Sequence, residues 1–319
     1  MKRNVNIELS IVTTIFNDAE IVSLLVKELR SECEQLNVSY EIILVDDSSS
    51  DSSESEIQKA CQENENIKGI SLSRNFGQQI AMSAGLRYAI GKYIVIMDGD
   101  LQNPPSEVPR LYTEILKGYD VVYTISEIRN NFFDKLTSLF FWFILTKVLG
   151  VKIVPNQLMM KIMNRNFLER FNEYNEINRT VAGIVRDITS HYQVLYIKNQ
   201  TRKSGRSHYN FFKRFNLLID LLISLSNTPL NMMIYFGWFI FLSTIIASLY
   251  FFIKYLYFDV PAGFTSIILA IFFFGSLIVL LLGFIGRYLS NIYSEVRRRP
   301  LFHLKKAYNF KIKPPKENE

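Results

Sequence analysis

The stretch Met97-Asp98-Gly99-Asp100-Leu101-Gln102-Asn103-Pro104-Pro105 sets two carboxylates one residue apart, with the Gln102 carboxamide close behind. It follows the apolar run Tyr93-Ile94-Val95-Ile96 and precedes a double proline, the pattern of a buried strand ending in a turn that displays acids. Such acids suit a hard cation. Mg²⁺ in particular is commonly held by one or two carboxylates together with the phosphates of a substrate. The chemistry suggested is therefore work on a nucleotide. Asp-x-Asp also occurs in plain surface turns, where Asp caps a helix or bends a loop, so its surroundings must decide.

The elements that position this turn repeat a single pattern. Leu9 to Ile15 predicts a strand, Asn17-Asp18 a cap, and residues 19–36 a helix with apolar Ile21, Leu24, Leu25, Val26 and Leu29. Glu41 to Val45 is the next expected strand. Asp46 to Asp51 forms a polar turn with cap residues, and a helix runs to about Asn64. Further strands are expected at Ile67 to Leu72, Tyr93 to Met97 and Tyr119 to Ile125, with a helix over 78–90 and another opened by Pro104-Pro105. Alternation of this kind implies a mostly parallel, Rossmann-like α/β sheet covered on both faces. Ligands of such sheets bind beyond the carboxyl ends of the strands. That brings Thr13 to Asn17, Asp46 to Ser49, Ser73 to Gly77 and Asp98 to Gln102 to one edge.

The second half reads differently. No charge lies between Asp220 and Lys254 or between Asp259 and Arg287, and each run exceeds the about 20 apolar residues that a bilayer crossing needs. Two transmembrane helices, about 232–256 and 262–286 within residues 228–290, are expected as a hairpin. Residues 132–149 and 209–227 read as amphipathic helices at the membrane interface. Of 36 Lys and Arg against 30 Asp and Glu, nine basic and three acidic residues fall from Arg287 onward, a surplus equal to the whole net charge of +6. The positive-inside rule makes that tail, residues 291–319, cytoplasmic, and two spans return the N-terminal domain to the same side. The charge reports anionic lipid rather than nucleic acid, which would need a basic face on a domain that is nearly balanced. Met1 to Leu9 is polar and leads into a strand, so no secretory signal is expected. Cys33 and Cys61 lack metal-ligand spacing and are expected as free thiols.

Five segments occur together in order: Ser10-Ile11-Val12-Thr13-Thr14-Ile15-Phe16-Asn17-Asp18, Ile43-Leu44-Val45-Asp46-Asp47-Ser48-Ser49, Leu72-Ser73-Arg74-Asn75-Phe76-Gly77, the acidic turn, and Arg202-Lys203-Ser204-Gly205-Arg206-Ser207. With the two-span tail they resemble the polyprenyl-phosphate glycosyltransferases of glycosyltransferase family 2, the bactoprenol glucosyltransferases and relatives of dolichyl-phosphate mannose synthase. The resemblance covers nearly the whole chain. It implies a GT-A domain over residues 1–208 that moves a sugar, with inversion, from a nucleotide diphosphate, UDP-hexose, to the phosphate of undecaprenyl phosphate. It also implies Mg²⁺ or Mn²⁺ on Asp98 and Asp100 with Gln102 close by, and nucleotide contacts from Thr13, Phe16, Asn17, Asp46, Asp47, Arg74, Gly77 and Asp98. A homo-oligomer through the membrane helices is a further family expectation. A phosphate monoester is already ionised near neutral pH, so positioning and charge neutralisation matter more than a general base. Arg129, Lys135, Arg179, Arg202 and Arg206 are the candidate cations for it, Arg202 opening the family's Arg-x-x-Gly-x-Ser element. His208 stands where a lysine is usual and titrates near neutral pH if it meets phosphate.

Three departures bear on the donor. Thr14 replaces a usual proline, Ser126 an arginine, and Leu158-Met159-Met160-Lys161 a Gly-Asp-Phe-Arg element, so an acid often given a positioning role is missing. Two other readings compete. A processive polysaccharide synthase would carry Gln-x-x-Arg-Trp, which neither Trp142 nor Trp238 follows. A silent nucleotide-sugar-binding protein would not need Asp98, Asp100, Gln102, Arg74 and Arg202 together.

Overall fold

The computed structural model describes residues 7–126, 157–174, 188–197, 263–297 and 299–310, with isolated helical positions between 235 and 253. The chain divides into two units, one of Met1–Phe140, Lys152–His208 and Pro300–Glu319, the other of Phe141–Val151 and Tyr209–Arg299.

The first unit is built on β1 (Leu9–Ile15), β2 (Tyr40–Asp46), β3 (Ile67–Leu72), β4 (Tyr93–Asp98), β5 (Val121–Ser126), β6 (Gln157–Asn164), β7 (Tyr192–Ile197) and β8 (Leu304–Tyr308). Among the described residues they form one eight-stranded sheet in the order β7-β5-β6-β4-β1-β2-β3-β8. β1 to β4 run parallel, β6 is antiparallel to both β4 and β5, β7 is parallel to β5, and β8 closes the far edge antiparallel to β3. The central strands are buried on both faces, as apolar β-branched runs in a parallel sheet must be. Every residue of β2 is buried, and so is every residue of β1 except Thr14.

Helices cover both faces. Helix α1 (Ala19–Leu36) presents Ile21, Val22, Leu25, Val26, Leu29 and Cys33 to the core at helical spacing. With α2 (Ser53–Glu63) and, after a 3₁₀ turn at Pro105–Glu107, α4 (Val108–Ile115), it packs on the side of Leu9, Ile11 and Ile15. On the other side α3 (Gln78–Tyr88) and α5 (Arg165–Glu173) place Ala81, Met82, Leu86, Phe167, Leu168 and Phe171 against Val12, Val45 and Ile96. Each large apolar side chain so buried contributes about 1.5–3 kcal/mol.

The expected cap at Asn17-Asp18 is different in kind. Asp18 holds the N-cap position of α1 but makes no capping bond from its side chain. The first helical N–H, that of Ala19, donates instead to Asp51 Oδ2 at 3.1 Å, and Asp51 Oδ1 accepts from Ser53 N at 3.0 Å. One carboxylate from the β2–α2 turn thus serves the starts of two helices.

The basic tail expected over 291–319 is also revised. Helix α6 (Phe264–Val296) continues past residue 291, and Leu304–Tyr308 is a strand of the sheet. Lys305 and Lys306 meet Glu54 at 2.8 and 2.9 Å, so two of the tail's cations are spent on an acid of the sheet domain. Phe302 is buried at 2% exposure, and Asn309 donates to the carbonyls of Cys61 and Ile67.

In the second unit α6 is a continuous helix of 33 residues, and its sequence carries no charge before Arg287. Over the described residues alone, no helix is long and apolar enough to cross a membrane. The expected span 232–256 and the interfacial helices at 132–149 and 209–227 lie outside them, apart from isolated helical positions in the span.

Candidate active site

β1 is flanked by β2 on one side and β4 on the other, so the chain order reverses between β1 and β4. Ligands of open α/β sheets bind in the crevice outside such a switch point. The β1–β4 register pairs Thr14 with Asp98, so the first acid of the turn stands at its lip. Gly99 keeps the turn close: a Cβ there would lie 2.6 Å from the Thr14 carbonyl oxygen. Beneath it Thr13 is fully buried, and its Oγ1 has no hydrogen-bond partner.

Asp98 is half-buried and accepts from Gln78 Nε2 at 2.5 Å and from Asn103 Nδ2 at 3.3 Å. The Asp100 carboxylate accepts from the Gln102 N–H at 3.1 Å, and Leu101 between them has φ 58°. That left-handed residue turns the chain just after the second acid and brings the Gln102 N–H back to the Asp100 carboxylate. Asn103 is 2% exposed and its Oδ1 has no partner, a buried acceptor beside two carboxylates. Hard oxygen donors with one unsatisfied carboxamide oxygen fit a divalent cation. Among the described residues no group of three or more His, Cys, Asp or Glu could hold a metal ion. Mg²⁺ in particular is commonly held by one or two carboxylates together with substrate phosphates.

The neighbouring turns are braced against one another. Asp47, 3% exposed, accepts from the N–H groups of Phe76 and Gly77, both at 2.8 Å, and so ties the β2 turn to the start of α3. Gly77 is needed there because φ 91° with ψ 150° is a region that essentially only glycine occupies. Asn17, at φ 53°, accepts from Ser50 N at 2.8 Å and donates its own N–H to Ser49 Oγ at 2.9 Å. Asp46 is buried at 1% exposure and accepts from Ser49 N at 3.1 Å. Burial pushes both Asp46 and Asp47 above the usual carboxylate range, although the hydrogen bonds they accept pull the other way.

Of the residues expected to meet a nucleotide, Phe16 is 46% exposed and Arg74 is exposed with its guanidinium 4.6 Å from the Phe76 ring centre. These two present side chains outward. Thr13, Asp46 and Asp47 are interior and shape the turns. Arg129, Lys135, Arg179, Arg202, Arg206 and His208 lie outside the described residues. Cys33 and Cys61 are free and buried, as expected, with both thiols pushed up to about 12 by desolvation.

Sequence reasoning passed over three participants. Gln78 was invisible because nothing local distinguishes it from a solvated helix residue. Lys161 sits in the departing segment noted above yet is buried at 1% exposure, and the Asp98 charge is felt at its ammonium. His303, from beyond α6, accepts from Ser73 N at 2.9 Å through its carbonyl, and its ring lies 6.4 Å from that of Phe76. The C-terminal segment therefore props the turn that carries Arg74.

An acidic turn at the switch point of an α/β sheet stands where ligands of such sheets bind. Residues 10–171 match glycosyl transferase family 2, and the chain belongs to that family as a glycosyltransferase. It is 33% identical over 306 residues to the undecaprenyl-phosphate 4-deoxy-4-formamido-L-arabinose transferase of Photorhabdus laumondii, covering 94% of each chain. The enzyme of the same name from Proteus mirabilis is 30% identical, with 98% of this chain and 97% of that one covered. An uncharacterized glycosyltransferase of Synechocystis is 31% identical over 97% and 98%. Among solved structures, glucosyl-3-phosphoglycerate synthase from Mycobacterium tuberculosis, in complex with Mn²⁺, UDP and phosphoglyceric acid, superposes with a TM-score of 0.48 at 15% identity, over 67% of this chain and 77% of that one.

Proposed function

We propose that the protein transfers a sugar, with inversion, from a nucleotide diphosphate sugar to undecaprenyl phosphate at the cytoplasmic membrane, giving a lipid-phosphate-linked sugar. The observation that carries the reading is the acidic turn at the β1–β4 crevice in a chain whose full-length relatives are named for undecaprenyl phosphate. Phe16 and Arg74 are the exposed groups suited to base and phosphate, held by the Asp47 and Asn17 braces.

Asp98 and Asp100 would hold Mg²⁺ or Mn²⁺, which supplies a Lewis acid for the charge that gathers on a departing nucleotide diphosphate. Gln78 and Asn103 orient the Asp98 carboxylate, and the Gln102 N–H orients that of Asp100. The acceptor phosphate needs no base. Arg202 and Arg206, with Arg129, Lys135, Arg179 and His208, are the groups we assign to it. The uncharged run of α6 and the apolar run before it are read as the hairpin that brings the acceptor's lipid within reach, with the sheet domain and the tail cytoplasmic.

The donor is UDP-linked in this reading, and with Met159 in place of an acid glucose is not necessarily the preferred sugar. The test supplies membranes containing the protein with undecaprenyl phosphate, Mn²⁺ and a panel of nucleotide sugars including UDP-glucose and a nucleotide-linked 4-deoxy-4-formamido-L-arabinose. Lipid-linked product is expected from one donor, and Asp100→Asn is expected to lower transfer at least a hundredfold with unchanged melting, a loss on the scale of one transition-state charge contact. Full transfer by that variant, or in excess chelator, refutes the metal assignment. Strong selectivity for UDP-glucose removes the Met159 argument.

A further inference from the structure

Lys161 carries an ammonium group into the interior of the sheet domain with 1% exposure. On β6 it pairs with Ile96 of β4 on one side and Tyr123 of β5 on the other, and its Nζ is 5.5 Å from the centre of the Tyr123 ring. Side chains alternate along a strand, so Ile96 and Asp98 share one face with Lys161 and Met159. That face is the one α3 covers: Gln78 reaches Asp98, and Gln79 Nε2 lies 3.8 Å from Met159 Sδ. Burial pushes the ammonium down to about 8, and the Asp98 carboxylate acts in the opposite sense.

For packing alone this is a poor residue. A methionine of similar volume would fill the row between Ile96 and Tyr123 without the desolvation penalty of a buried charge. The charge is buried on the face of the sheet that carries Asp98 at the end of β4.

We propose that Lys161 is a positioning residue for the acidic turn, an internal counter-charge that holds the Asp98 carboxylate at the end of β4 and weakens its attraction for a bare divalent cation. The cation then enters together with the nucleotide diphosphate. This rests on the metal role of Asp98 and Asp100 given above. Two carboxylates alone would bind a dication before any donor arrived; with a fixed ammonium nearby their net charge is halved, and the donor's own phosphates restore the missing attraction. Even at the dielectric of water, one unit charge about 6 Å from a dication changes its affinity by about tenfold, so tenfold is the smallest effect expected.

The test measures Mn²⁺ binding to the full chain in detergent by electron paramagnetic resonance of the free ion, with and without UDP, and melting in chelator. Wild type, Lys161→Met and Lys161→Arg are compared, with Lys161→Gln replacing the methionine variant if the latter does not accumulate. Lys161→Met is expected to bind Mn²⁺ without UDP about tenfold or more tighter than wild type, to lose a similar factor of the enhancement by UDP, and to melt no lower. Lys161→Arg keeps the wild-type pattern. Equal Mn²⁺ affinity in wild type and Lys161→Met overturns the proposal and leaves the metal assignment standing. Lower melting with unchanged Mn²⁺ affinity overturns it by making Lys161 structural. Absence of UDP-supported Mn²⁺ binding in wild type overturns both.

Discussion

Asp47→Asn removes one charge without changing the size of the side chain, and the consequences follow from its two hydrogen bonds. Asp47 accepts from Phe76 N and Gly77 N at 2.8 Å each, one to each carboxylate oxygen. An asparagine keeps one acceptor and turns an NH₂ toward the other N–H, so one of the two donors loses its partner. A hydrogen bond to a charged group is worth about 1.5–3 kcal/mol, and a buried donor left unsatisfied loses a further 1–3 kcal/mol. Against this stands relief of the desolvation that holds the Asp47 carboxyl above its usual range. A net loss of about 2 kcal/mol in holding the Ser73–Gly77 turn is the balance. If the turn that presents Arg74 must be reordered on binding, that loss appears as an about thirtyfold weaker Kd for UDP. Calorimetric titration of UDP into the purified full chain, with Mn²⁺ present, measures it. A Kd within threefold of wild type in a variant that melts normally refutes the brace.

Two further perturbations test the sheet. Glu54 is held down to about 2, first by its hydrogen bond to Lys305 and then by Lys306 and Tyr308, against the opposing pull of burial. Its folded pKa is depressed, so its contribution is complete above the unfolded value of 4.5 and is lost as pH falls toward 2. Unfolding followed between pH 6 and 2 should show wild type losing stability through that window relative to Glu54→Gln; parallel curves refute the latch on β8. Gly99→Ala places a methyl 2.6 Å from the Thr14 carbonyl oxygen and 2.7 Å from Ile15 Cδ1, which forces the acidic turn away from β1. Stability should fall by about 1–3 kcal/mol and transfer by more than stability accounts for; full activity at normal melting temperature refutes the close approach.

The five expected strands up to Ile125 each fall within a residue or two of the observed ones, because their signals are local. A β-branched run, a polar turn and a helical apolar stripe are each contained in a dozen residues. Asp98 and Asp100 were legible for the same reason, since strand, turn and double proline adjoin. Gln78, Lys161 and His303 were not, since each acquires its role from a partner on another element. Lys161 enters the sequence only as the end of the segment that replaces Gly-Asp-Phe-Arg; its burial follows from β6 lying antiparallel between β4 and β5.

What the sequence determined by itself, then, is the alternation that builds a parallel sheet, the edge at which its polar turns gather, and the acid pair among them. The tertiary structure decided which of those acids face outward and which serve as braces, since Asp46 and Asp47 read alike with Asp98 until burial is known. It also decided the fate of the tail. Lys305 and Lys306 belong to a run of cations that charge counting assigns to lipid, yet Lys305 meets Glu54 across 251 residues of chain. Pairing between segments so far apart depends on an open sheet edge that exists only after β3 has folded, and no local pattern records it.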